Sequence, residues 1–299
     1  MAAPGVTLEE CRQDAPLFVT PLVAVAGAGG VDQRDLRVRA LLQLPRVATV
    51  AGRVTSQQIE RELRHCAWQL AKDAVAARPA VPREKFALNE LIFTDSVGAA
   101  TAGQIFGHLH YLRSARPGSG YFALLDPVQQ LPVTICAVAP LEWKRVASWV
   151  TAQFGVPPAR VLDVARVFSC STAPANAVSY LLARVRASLA RQGAADLLTT
   201  AVDQNLGFTG ASYRAANWQR WISIQPRPYL YLDRRYVSPR QLREQFGSAN
   251  MTALRAAFPG HRFEASRARM RESLIFGCHV SQARDLPPLR DFPTRPLHR

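Results

Sequence analysis

The sequence predicts a mixed α/β protein, and three observations support this fold class. One long amphipathic helix dominates the first part of the chain. From Lys85 onward, apolar runs typical of strands alternate with segments whose apolar residues recur at helical spacing. Between these two parts lies the proline-rich segment RPAVP at 78–82, where we expect a linker. We therefore predict a small, mostly helical N-terminal region at 1–84, a mixed α/β domain at 85–275 and a proline- and arginine-rich tail at 276–299.

The long helix is predicted to run from residue 56 to residue 77. Thr55 and Gln58 have the spacing of a capping box, in which each side chain bonds the backbone N–H of the other residue. Residues 1–54 carry short apolar runs broken by Gly, Pro and Asp, and no pattern there points to chemistry. The apolar residues that recur at intervals of three and four along the helix are Ile59, Leu63, Ala67, Leu70 and Ala74.

The α/β part of the chain is predicted as a series of short elements, bounded by turn residues and by changes of apolar period. In order, these are a strand at 86–94, a helix at 101–112, hairpin strands at 121–125 and 133–138 joined by a polar loop at 126–130, a helix at 143–154, a buried strand at 164–170, a helical segment stopped by Gly193, a strand at 197–202 that ends at Asp203, and late strands at 221–225 and 229–232.

The charge of the chain points to an anionic partner. The 299 residues carry a formal net charge of +15, and almost all of the positive charge is arginine, because only Lys72, Lys85 and Lys144 are lysines. Guanidinium groups bind phosphate oxygens in pairs and stack on bases, so the composition favours a nucleic acid or another polyanion. A GC-rich genome, which enriches arginine and alanine without any function, would explain the same composition.

The cysteines and the apolar runs bear on the cellular compartment. The 5 cysteines are scattered, without the CxxC spacing of a zinc ribbon, and their odd number does not suit a disulfide framework. Cys170, at the end of the buried strand, is best interpreted as a structural thiol. Neither a signal peptide nor an apolar run that could span a membrane is recognisable, so we expect a cytoplasmic protein.

The segment 203–218, DQNLGFTGASYRAANW, concentrates the candidate catalytic residues. Asp203 ends a strand, where the side chains of an α/β site commonly converge. Gly207 and Gly210 allow sharp turns and close approach to a ligand, although both may be required only by the loop itself. Tyr213 begins a short helix, and Asn217 follows one helical turn later, where it would orient Tyr213. The alternative interpretations are a helix N-cap for Asp203, a core residue for Tyr213 and a structural hydrogen bond for Asn217.

The order of these elements is similar to that of the GNAT superfamily of N-acetyltransferases. In that fold a central strand and the helix after it hold the pyrophosphate of coenzyme A, and a tyrosine on a later short helix often acts as a general acid. By this resemblance, segments 164–170 and 172–191 form the donor cradle and Tyr213 is the acid.

The segment 203–218 resembles the signature of the Mom-like DNA-modification proteins, a phage-associated branch of that superfamily. Phe208 stands where His is usual in that signature. Three further pieces agree with it, namely the APAN sequence at 173–176, the His110–Tyr111 pair and the segment 231–247, YLDRRYVSPRQLREQFG. The nine matching positions are Asp203, Gly207, Thr209, Gly210, Tyr213, Ala215, Ala216, Asn217 and Trp218.

The resemblance implies transfer of an acyl or acyl-derived group to the N6 amine of adenine in DNA. The family's product is a carbamoylmethyl (acetamido) adenine, which protects DNA from restriction nucleases. The N6 amine is a poor nucleophile because its lone pair is delocalised into the ring, so it requires a base or a strong acceptor. Asp203 would take that role, Tyr213 would protonate the leaving group or hold the acceptor, and Asn217 and His110 would assist.

The donor would lie at Ser171, Thr172 and Asn176, with Gly207 and Gly210 close to it. Ordinary acetyltransferases have a glycine-rich turn here whose N–H groups contact a pyrophosphate. This sequence has no glycine at 171–177, and Pro174 removes one donor. Ser171 or Thr172 is expected to cap the following helix. Acetyl-CoA, another thioester and an aminoacyl-tRNA therefore all remain open as donors. We predict no metal site, because His108 and His110 are two residues apart and would point in different directions on a helix.

An arginine-rich segment follows the catalytic stretch and is a candidate nucleic-acid surface, since basic residues interleaved with aromatics suit a backbone-gripping face. A duplex adenine would have to leave the base stack to react. A solvated basic hairpin without a partner is the alternative. The arginines are Arg227, Arg234, Arg235, Arg240 and Arg243, and the tyrosines among them are Tyr229, Tyr231 and Tyr236.

Two other classes of function remain open from the sequence. One is an N-acyltransferase of the same fold that acts on a small molecule or a peptide and needs no DNA binding. The other is a non-catalytic nucleic-acid-binding protein, which would keep its function when Tyr213 and Asp203 are replaced.

Overall fold

The structure of the protein is a computed structural model, and it describes residues 4–281 and Leu286. Its centre is a seven-stranded mixed sheet with helices on both faces, which confirms the predicted mixed α/β class. The strands are β1 (Gly5–Thr7), β2 (Arg53–Thr55), β3 (Ile92–Thr94), β4 (Gly120–Leu125), β5 (Pro132–Pro140), β6 (Val161–Ser169), β7 (Leu197–Asp203), β8 (Gln219–Ile224), β9 (Leu230–Leu232), β10 (Arg235–Val237), β11 (Phe263–Ala265) and β12 (Ser273–His279).

The helices precede the sheet, cover it and follow it. Side chains that alternate along β5 contact different helices, since Ile135 and Ala137 lie in the cluster of α5 whereas Cys136 and Val138 lie in the cluster of α7. The helices are α1 (Leu8–Arg12), α2 (Pro16–Gly29), α3 (Gln33–Val47), α4 (Ser56–Ala77), α5 (Ala99–His108), α6 (Lys144–Phe154), α7 (Ala177–Gln192), α8 (Ala211–Ala215), α9 (Pro239–Phe246) and α10 (Met251–Ala257).

The N-terminal region is mostly helical, as predicted. Helix α4 begins and ends where the sequence placed it, and Thr55 and Gln58 form the reciprocal capping box. Helices α2 and α3 were not foreseen, because Pro21 and Pro45 lie inside them. A proline inside a helix costs about 3 kcal/mol, and burial of apolar faces that include Phe18 offsets this cost in the folded chain.

The central sheet has the order β3-β4-β5-β6-β7-β12-β8, and β6 with β7 is its parallel pair. This pair is short, because it begins at Val161 and Leu197 and ends at Asp163 and Thr199. Beyond that point β6 remains paired with β5 as far as Ser169, and β7 remains paired with β12 as far as Asp203. The two strands therefore separate towards their carboxyl ends, and we call the opening between 164–169 and 200–203 the β6–β7 gap.

A second, three-stranded sheet of order β10-β9-β11 lies against the N-terminal helices. Tyr231 of β9 is fully buried among them and donates its hydroxyl hydrogen bond to the Leu42 carbonyl at 2.9 Å. Met270 belongs to the same apolar cluster. The N-terminal region thus shares a core with residues near the other end of the chain.

Some predicted elements differ in the structure. The strand expected at 86–94 is reduced to β3, because Leu88–Glu90 form a 3-10 turn closed by the Glu90 carboxylate on the Ala87 N–H. The helix expected at 101–112 ends at His108, so His110 is not on a helix. Strand β12 continues across the boundary expected at 275, and it is inserted between β7 and β8. Beyond β12, the described residues of the predicted tail are Val280, Ser281 and Leu286. No helix within the described part of the chain is long and apolar enough to cross a membrane.

Candidate active site

Asp203 is the centre of the candidate site, at the carboxyl end of β7. Its Oδ1 accepts the backbone N–H of Asn205 at 2.9 Å and the Asn205 side-chain amide at 2.8 Å. Its Oδ2 accepts the Tyr229 hydroxyl. The backbone bond caps the 3-10 turn at Gln204–Leu206, so the N-cap alternative is also correct. A carboxylate offers about four acceptor positions. Since Asn205 and Tyr229 occupy three of them, about one remains for another donor.

A cluster of phenols and one guanidinium surrounds this carboxylate. Burial and the nearby Asp203 charge raise the pKa of Tyr229 well above its ordinary value. They raise the pKa of Tyr236 to about 12 and also raise the pKa of Tyr111. Burial lowers the pKa of the Arg166 guanidinium, which faces Tyr111 and Tyr236. The three phenols are therefore protonated at neutral pH, and they can donate to an anion or to a ligand.

Residues of the N-terminal region bind the loop that follows Asp203, which we call the Asp203 loop. Arg12 of α1 donates from Nη2 to the Asn205 side-chain oxygen at 3.1 Å and from Nε to the Asn205 carbonyl at 3.2 Å. The Arg271 N–H donates to the same side-chain oxygen at 2.7 Å. These bonds fix the orientation of the Asn205 amide, which in turn donates to Asp203. Helix α1 is therefore connected to the candidate catalytic carboxylate through one buried asparagine.

His110 and Tyr111 lie in a loop that a buried ion-pair network fastens to α3 and α4. Asp73 of α4 accepts from Arg39 Nη1 at 2.7 Å and from both terminal nitrogens of Arg113 at 2.5 and 2.9 Å. Arg39 also donates to the His108 carbonyl at 2.5 Å. The loop is thus clamped on both sides of the pair, which places Tyr111 beside Asp203.

His110 is 4% exposed, and its ring stacks on Tyr111 with centroids 4.3 Å apart. Burial, with the charges of Arg166 and Arg39, lowers the pKa of His110 well below its ordinary value. Its Nδ1 accepts the Leu112 N–H at 3.2 Å, so the neutral ring carries its proton on Nε2. His110 can therefore act as an N–H donor or as a stacking partner, but its Nδ1 is already occupied as an acceptor.

Tyr213 lies on α8 at the edge of the β6–β7 gap. Its hydroxyl oxygen is 3.3 Å from Thr200 Oγ1, which itself lies 2.9 Å from the Val164 carbonyl. Thr200 Oγ1 is the donor to both oxygens, and its shorter bond is to the Val164 carbonyl. Burial raises the pKa of Tyr213 to about 12, opposed by its bond with Thr200. The phenol is neutral at neutral pH, as a general acid must be.

Asp203 and Tyr213 lie on opposite sides of β7. Thr200, which contacts Tyr213, and Asp203 are three residues apart on one strand, so their side chains point to opposite faces. Tyr111, however, is within electrostatic range of both Asp203 and Tyr213. Thr200 and Asp203 both lie on the β7 side of the β6–β7 gap, so Tyr213 and Asp203 border this opening from opposite faces of the sheet.

Asn217 does not share a helical face with Tyr213, which corrects the expectation from the sequence. Helix α8 ends at Ala215, and Asn217 is exposed with φ of 60°. The Trp218 N–H bonds the Tyr213 carbonyl at 2.9 Å, which closes the helix end. A left-handed residue at this position terminates the helix, so Asn217 faces outward.

Gly207 and Gly210 both adopt the left-handed conformation, with φ of 79° and 76°. A Cβ on Gly210 would overlap the ring of Phe276 on β12, and the same ring stacks on Tyr213 with centroids 5.9 Å apart. A Cβ on Gly207 would lie 3.6 Å from Leu41 of α3. Glycine at 210 thus lets α8 approach the sheet, and glycine at 207 lets the loop pass beside α3.

The predicted donor residues precede α7 rather than beginning it. The helix starts at Ala177 with Asn176 as a left-handed N-cap, and no side chain bonds its first N–H groups. The expectation that Ser171 or Thr172 caps the helix is therefore wrong, because two turns, Cys170–Ala173 and Pro174–Ala177, separate them from it. Among the described residues, Thr172 Oγ1 is one of the buried oxygens without a hydrogen-bond partner.

The predicted arginines do not form one surface with the tyrosines. Tyr229, which directly precedes β9, and Tyr231 of β9 both point inward, because residues two apart in an extended segment share one face, and this face packs in the N-terminal apolar cluster. Arg240 is paired with Glu142 and Glu244, at 3.3 and 2.7 Å. The remaining arginines, which are exposed, are Arg227, Arg234, Arg235 and Arg243.

A groove of about 810 Å³ adjoins the Asp203 loop. It lies between α1 and the segments before β9 and β12, and Arg12, Gln204, Gln225 and Arg271 are among its lining residues. Its walls combine cations, amides and two acidic residues, so it suits a polar ligand.

Within residues 4–281, no group of three His, Cys, Asp or Glu side chains could hold a metal ion.

The sequence missed part of this site. Tyr229 and Tyr236 were assigned to a nucleic-acid surface, and Arg166, Asn205 and Arg12 were not considered. The i, i+2 spacing of Tyr229 and Tyr231 was an available signal, since it indicates one buried strand face. Nothing in the sequence near Asn205 indicates its bond to Arg12, which is 193 residues away.

Comparison with known proteins does not identify the chain. No protein-family model matches it. No curated protein matches it either. One similar solved structure is the "putative acetyltransferase" from Sphaerobacter thermophilus, with 10% identity and a TM-score of 0.28 over 70% of this chain and 87% of that chain. A likeness at this level carries no argument about function, so the proposal below rests on the site and on the signature at 203–218.

Proposed function

We propose that the protein transfers an acyl or acyl-derived group to the N6 amine of adenine in DNA. The observation that carries the proposal is the arrangement around the β6–β7 gap. Asp203 is held there by Asn205 and Tyr229 with about one acceptor position left, and the neutral phenol of Tyr213 lies on the other side of the strand. Both residues belong to the segment that resembles the Mom-like signature.

The chemistry follows from these two groups. The N6 nitrogen forms a bond to the reactive carbon of the donor, and its proton passes to the Asp203 carboxylate. The bond between that carbon and its leaving sulfur or oxygen breaks, and Tyr213 supplies a proton to the leaving atom. The phenols of Tyr229, Tyr236 and Tyr111 are neutral, and they surround the acceptor with O–H groups.

The donor is proposed to lie at the carboxyl end of β6. The uncapped first turn of α7 and the unpartnered Thr172 hydroxyl suit an anionic group there. The segment from Ser171 to Ala177 contains no glycine, so it lacks the glycine-rich turn that would favour a pyrophosphate over other anionic groups. An acetyl-CoA, another thioester or an aminoacyl-tRNA is therefore consistent with these residues.

A small-molecule or peptide acceptor is the second candidate. The groove of about 810 Å³ beside Gln204 has the size of a ligand pocket and is lined by amides and charges. In that case DNA binding would be irrelevant, and the same two residues would act on an amine of the small substrate.

The experiment is expression of the protein in a bacterial host, digestion of the host DNA to nucleosides and mass spectrometry for a heavier deoxyadenosine. We expect an adduct with the intact chain and none with Tyr213→Phe or Asp203→Asn. Matched controls are Tyr121→Phe on β4 and Asp95→Asn before α5, which lie outside the gap and should leave the adduct unchanged. An abundant, folded protein without any adduct would exclude the DNA reaction and favour the second candidate.

A further inference from the structure

The outward face of α4 carries a row of basic residues around an exposed tryptophan. Trp68 is 55% exposed, while the opposite face of the helix is buried in the N-terminal core. Apart from the adjacent Arg64 and His65, successive members of the row are three or four residues apart, so they share one helical face. The row, which we call the α4 stripe, consists of Arg61, Arg64, His65, Trp68 and Lys72.

The stripe is built around the indole ring. Lys72 Nζ lies 4.1 Å from the centre of the Trp68 ring, and the His65 ring stacks beside it with centroids 6.4 Å apart. Glu60, which pairs with Arg64 at 3.5 Å, is the acidic group that contacts this row. A single exposed apolar side chain is ordinary on a protein surface, but an indole with Lys72 over its ring, on a helical face that also carries Arg61 and Arg64, suits the binding of single-stranded nucleic acid.

A second element brings further positive charge to the same place. Arg234 lies in the tight turn between β9 and β10, where it and Asp233 are left-handed, and Arg235 begins β10. Tyr231 and Tyr236 of this hairpin pack in the same apolar cluster as the buried face of α4. Burial lowers the pKa of His65 on α4, and the charges of Arg234 and Arg235 lower it further. Asp233 in the same turn accepts from the Arg262 N–H and lies 2.8 Å from His261, and its charge offsets part of that of Arg235.

The hairpin also connects this surface to the candidate active site. Tyr229 stands at the Asp203 end of the hairpin and Arg234 at the other end. Five residues of extended chain span roughly 17 Å. A strand of nucleic acid that passes Asp203 can therefore reach Arg234 at the hairpin turn within a few nucleotides.

We propose that the α4 stripe and the hairpin turn together bind single-stranded DNA, with Trp68 as the platform on which an unpaired base stacks. The proposal rests on the proposed function for its partner, because a base that leaves the duplex creates unpaired neighbours. The cations hold the phosphates on either side, and the indole requires an unpaired base because a paired one exposes no free face.

The test is a titration of the purified full chain against a fluorescently labelled 12-nucleotide single strand, read by anisotropy, with the matching duplex in parallel. Trp68→Ala should weaken binding of the single strand by about 5- to 100-fold, with little change in its salt dependence. Trp143→Ala is the matched control, because Trp143 is 47% exposed and lies at the start of α6, away from the stripe. Trp68→Phe should retain most of the affinity.

Each outcome separates this proposal from the proposed function. The proposed role of the α4 stripe would be contradicted if Trp68→Ala bound the single strand as tightly as the intact chain, or if Trp68→Ala and Trp143→Ala lost equal affinity. Either result would count even if the DNA adduct forms. A loss confined to Trp68→Ala supports the stripe, whether or not any adduct is found. No measurable binding of the single strand by the intact chain would also overturn it.

Discussion

Tyr229 donates a hydrogen bond to the carboxylate of Asp203 across 26 residues of sequence. The bond joins the start of the arginine-rich hairpin to the end of a central strand, so the candidate catalytic and nucleic-acid-binding segments form one structure. It also explains why a tyrosine that the sequence assigned to the surface is 8% exposed.

Tyr229→Phe should lower the reaction rate more than the stability. The ring still fills its place in the core, but one Asp203 oxygen loses its donor. Losing a hydrogen bond to a charged group costs about 1.5–3 kcal/mol. We expect adduct yield to fall at least tenfold, while the urea midpoint shifts modestly. Tyr121→Phe, which removes a hydroxyl bonded to the Arg116 carbonyl and no bond to Asp203, is the control, and an equal effect of both variants would contradict a specific role for Tyr229.

Gly210→Ala should destabilise the protein more than Gly207→Ala. Both positions are left-handed, which costs an alanine about 1 kcal/mol. At 210 the added methyl group also overlaps the Phe276 ring, and overpacking adds about 1–3 kcal/mol. Urea unfolding of the two variants measures the difference. Equal losses would mean that the Phe276 ring moves aside without cost.

Asp73→Asn should be strongly destabilising, because it leaves the buried Arg39 guanidinium and the more exposed Arg113 guanidinium without their carboxylate. Breaking a buried ion pair costs about 3–5 kcal/mol, and here the pair also clamps the loop that carries His110 and Tyr111. Asp95→Asn, at an exposed carboxylate bonded to Ser188, is the matched control. A loss of stability below about 1 kcal/mol would indicate that the arginines find other partners.

The neutral state of His110 should appear in the pH dependence of stability. Its pKa is lowered in the folded chain by burial, so below about pH 6.5 the unfolded chain binds more protons than the folded chain. The contribution of His110 is complete above that pH and is lost as the pH falls towards its folded pKa.

His110→Phe removes this effect and keeps a ring beside Tyr111. We expect the urea stability of the variant to fall less steeply between pH 6.5 and 5, by up to about 1.4 kcal/mol per pH unit. Burial raises the pKa values of Asp35 and Asp163 to about 6, which acts in the opposite direction, but both carboxyls are present in both proteins and cancel in the difference. Parallel curves would show that His110 is protonated in the folded state.

Reversing the charge of Arg234 and Arg235 to Glu should weaken DNA binding and flatten its salt dependence. Each lost phosphate contact reduces the slope of log K against log salt by about 0.9 for a duplex and about 0.7 for a single strand. The matched control is the double reversal of Arg145 and Arg191, which lie on α6 and α7. Unchanged affinity in the hairpin variant would remove the turn from the binding surface.

The sequence was a good guide wherever local signals decide the structure. The capping box at Thr55 and the apolar period after it are sufficient to place α4, because both act within one or two turns. Helix α7 ends at Gly193, whose left-handed conformation closes it as the sequence indicated. The start of α7 was misplaced, since Asn176 in the left-handed region begins it without a side-chain cap.

By itself, the sequence determined the mixed α/β class, the long helix and the concentration of candidate residues between Asp203 and Trp218, since each depends on neighbours along the chain. The tertiary structure alone decided which groups surround Asp203. Arg12 and Tyr229 reach it from opposite directions in the sequence, and β12 enters the sheet between β7 and β8. Such contacts join residues far apart in the chain and depend on the burial of apolar faces, including those of the proline-containing helices α2 and α3. No local sequence pattern predicts them.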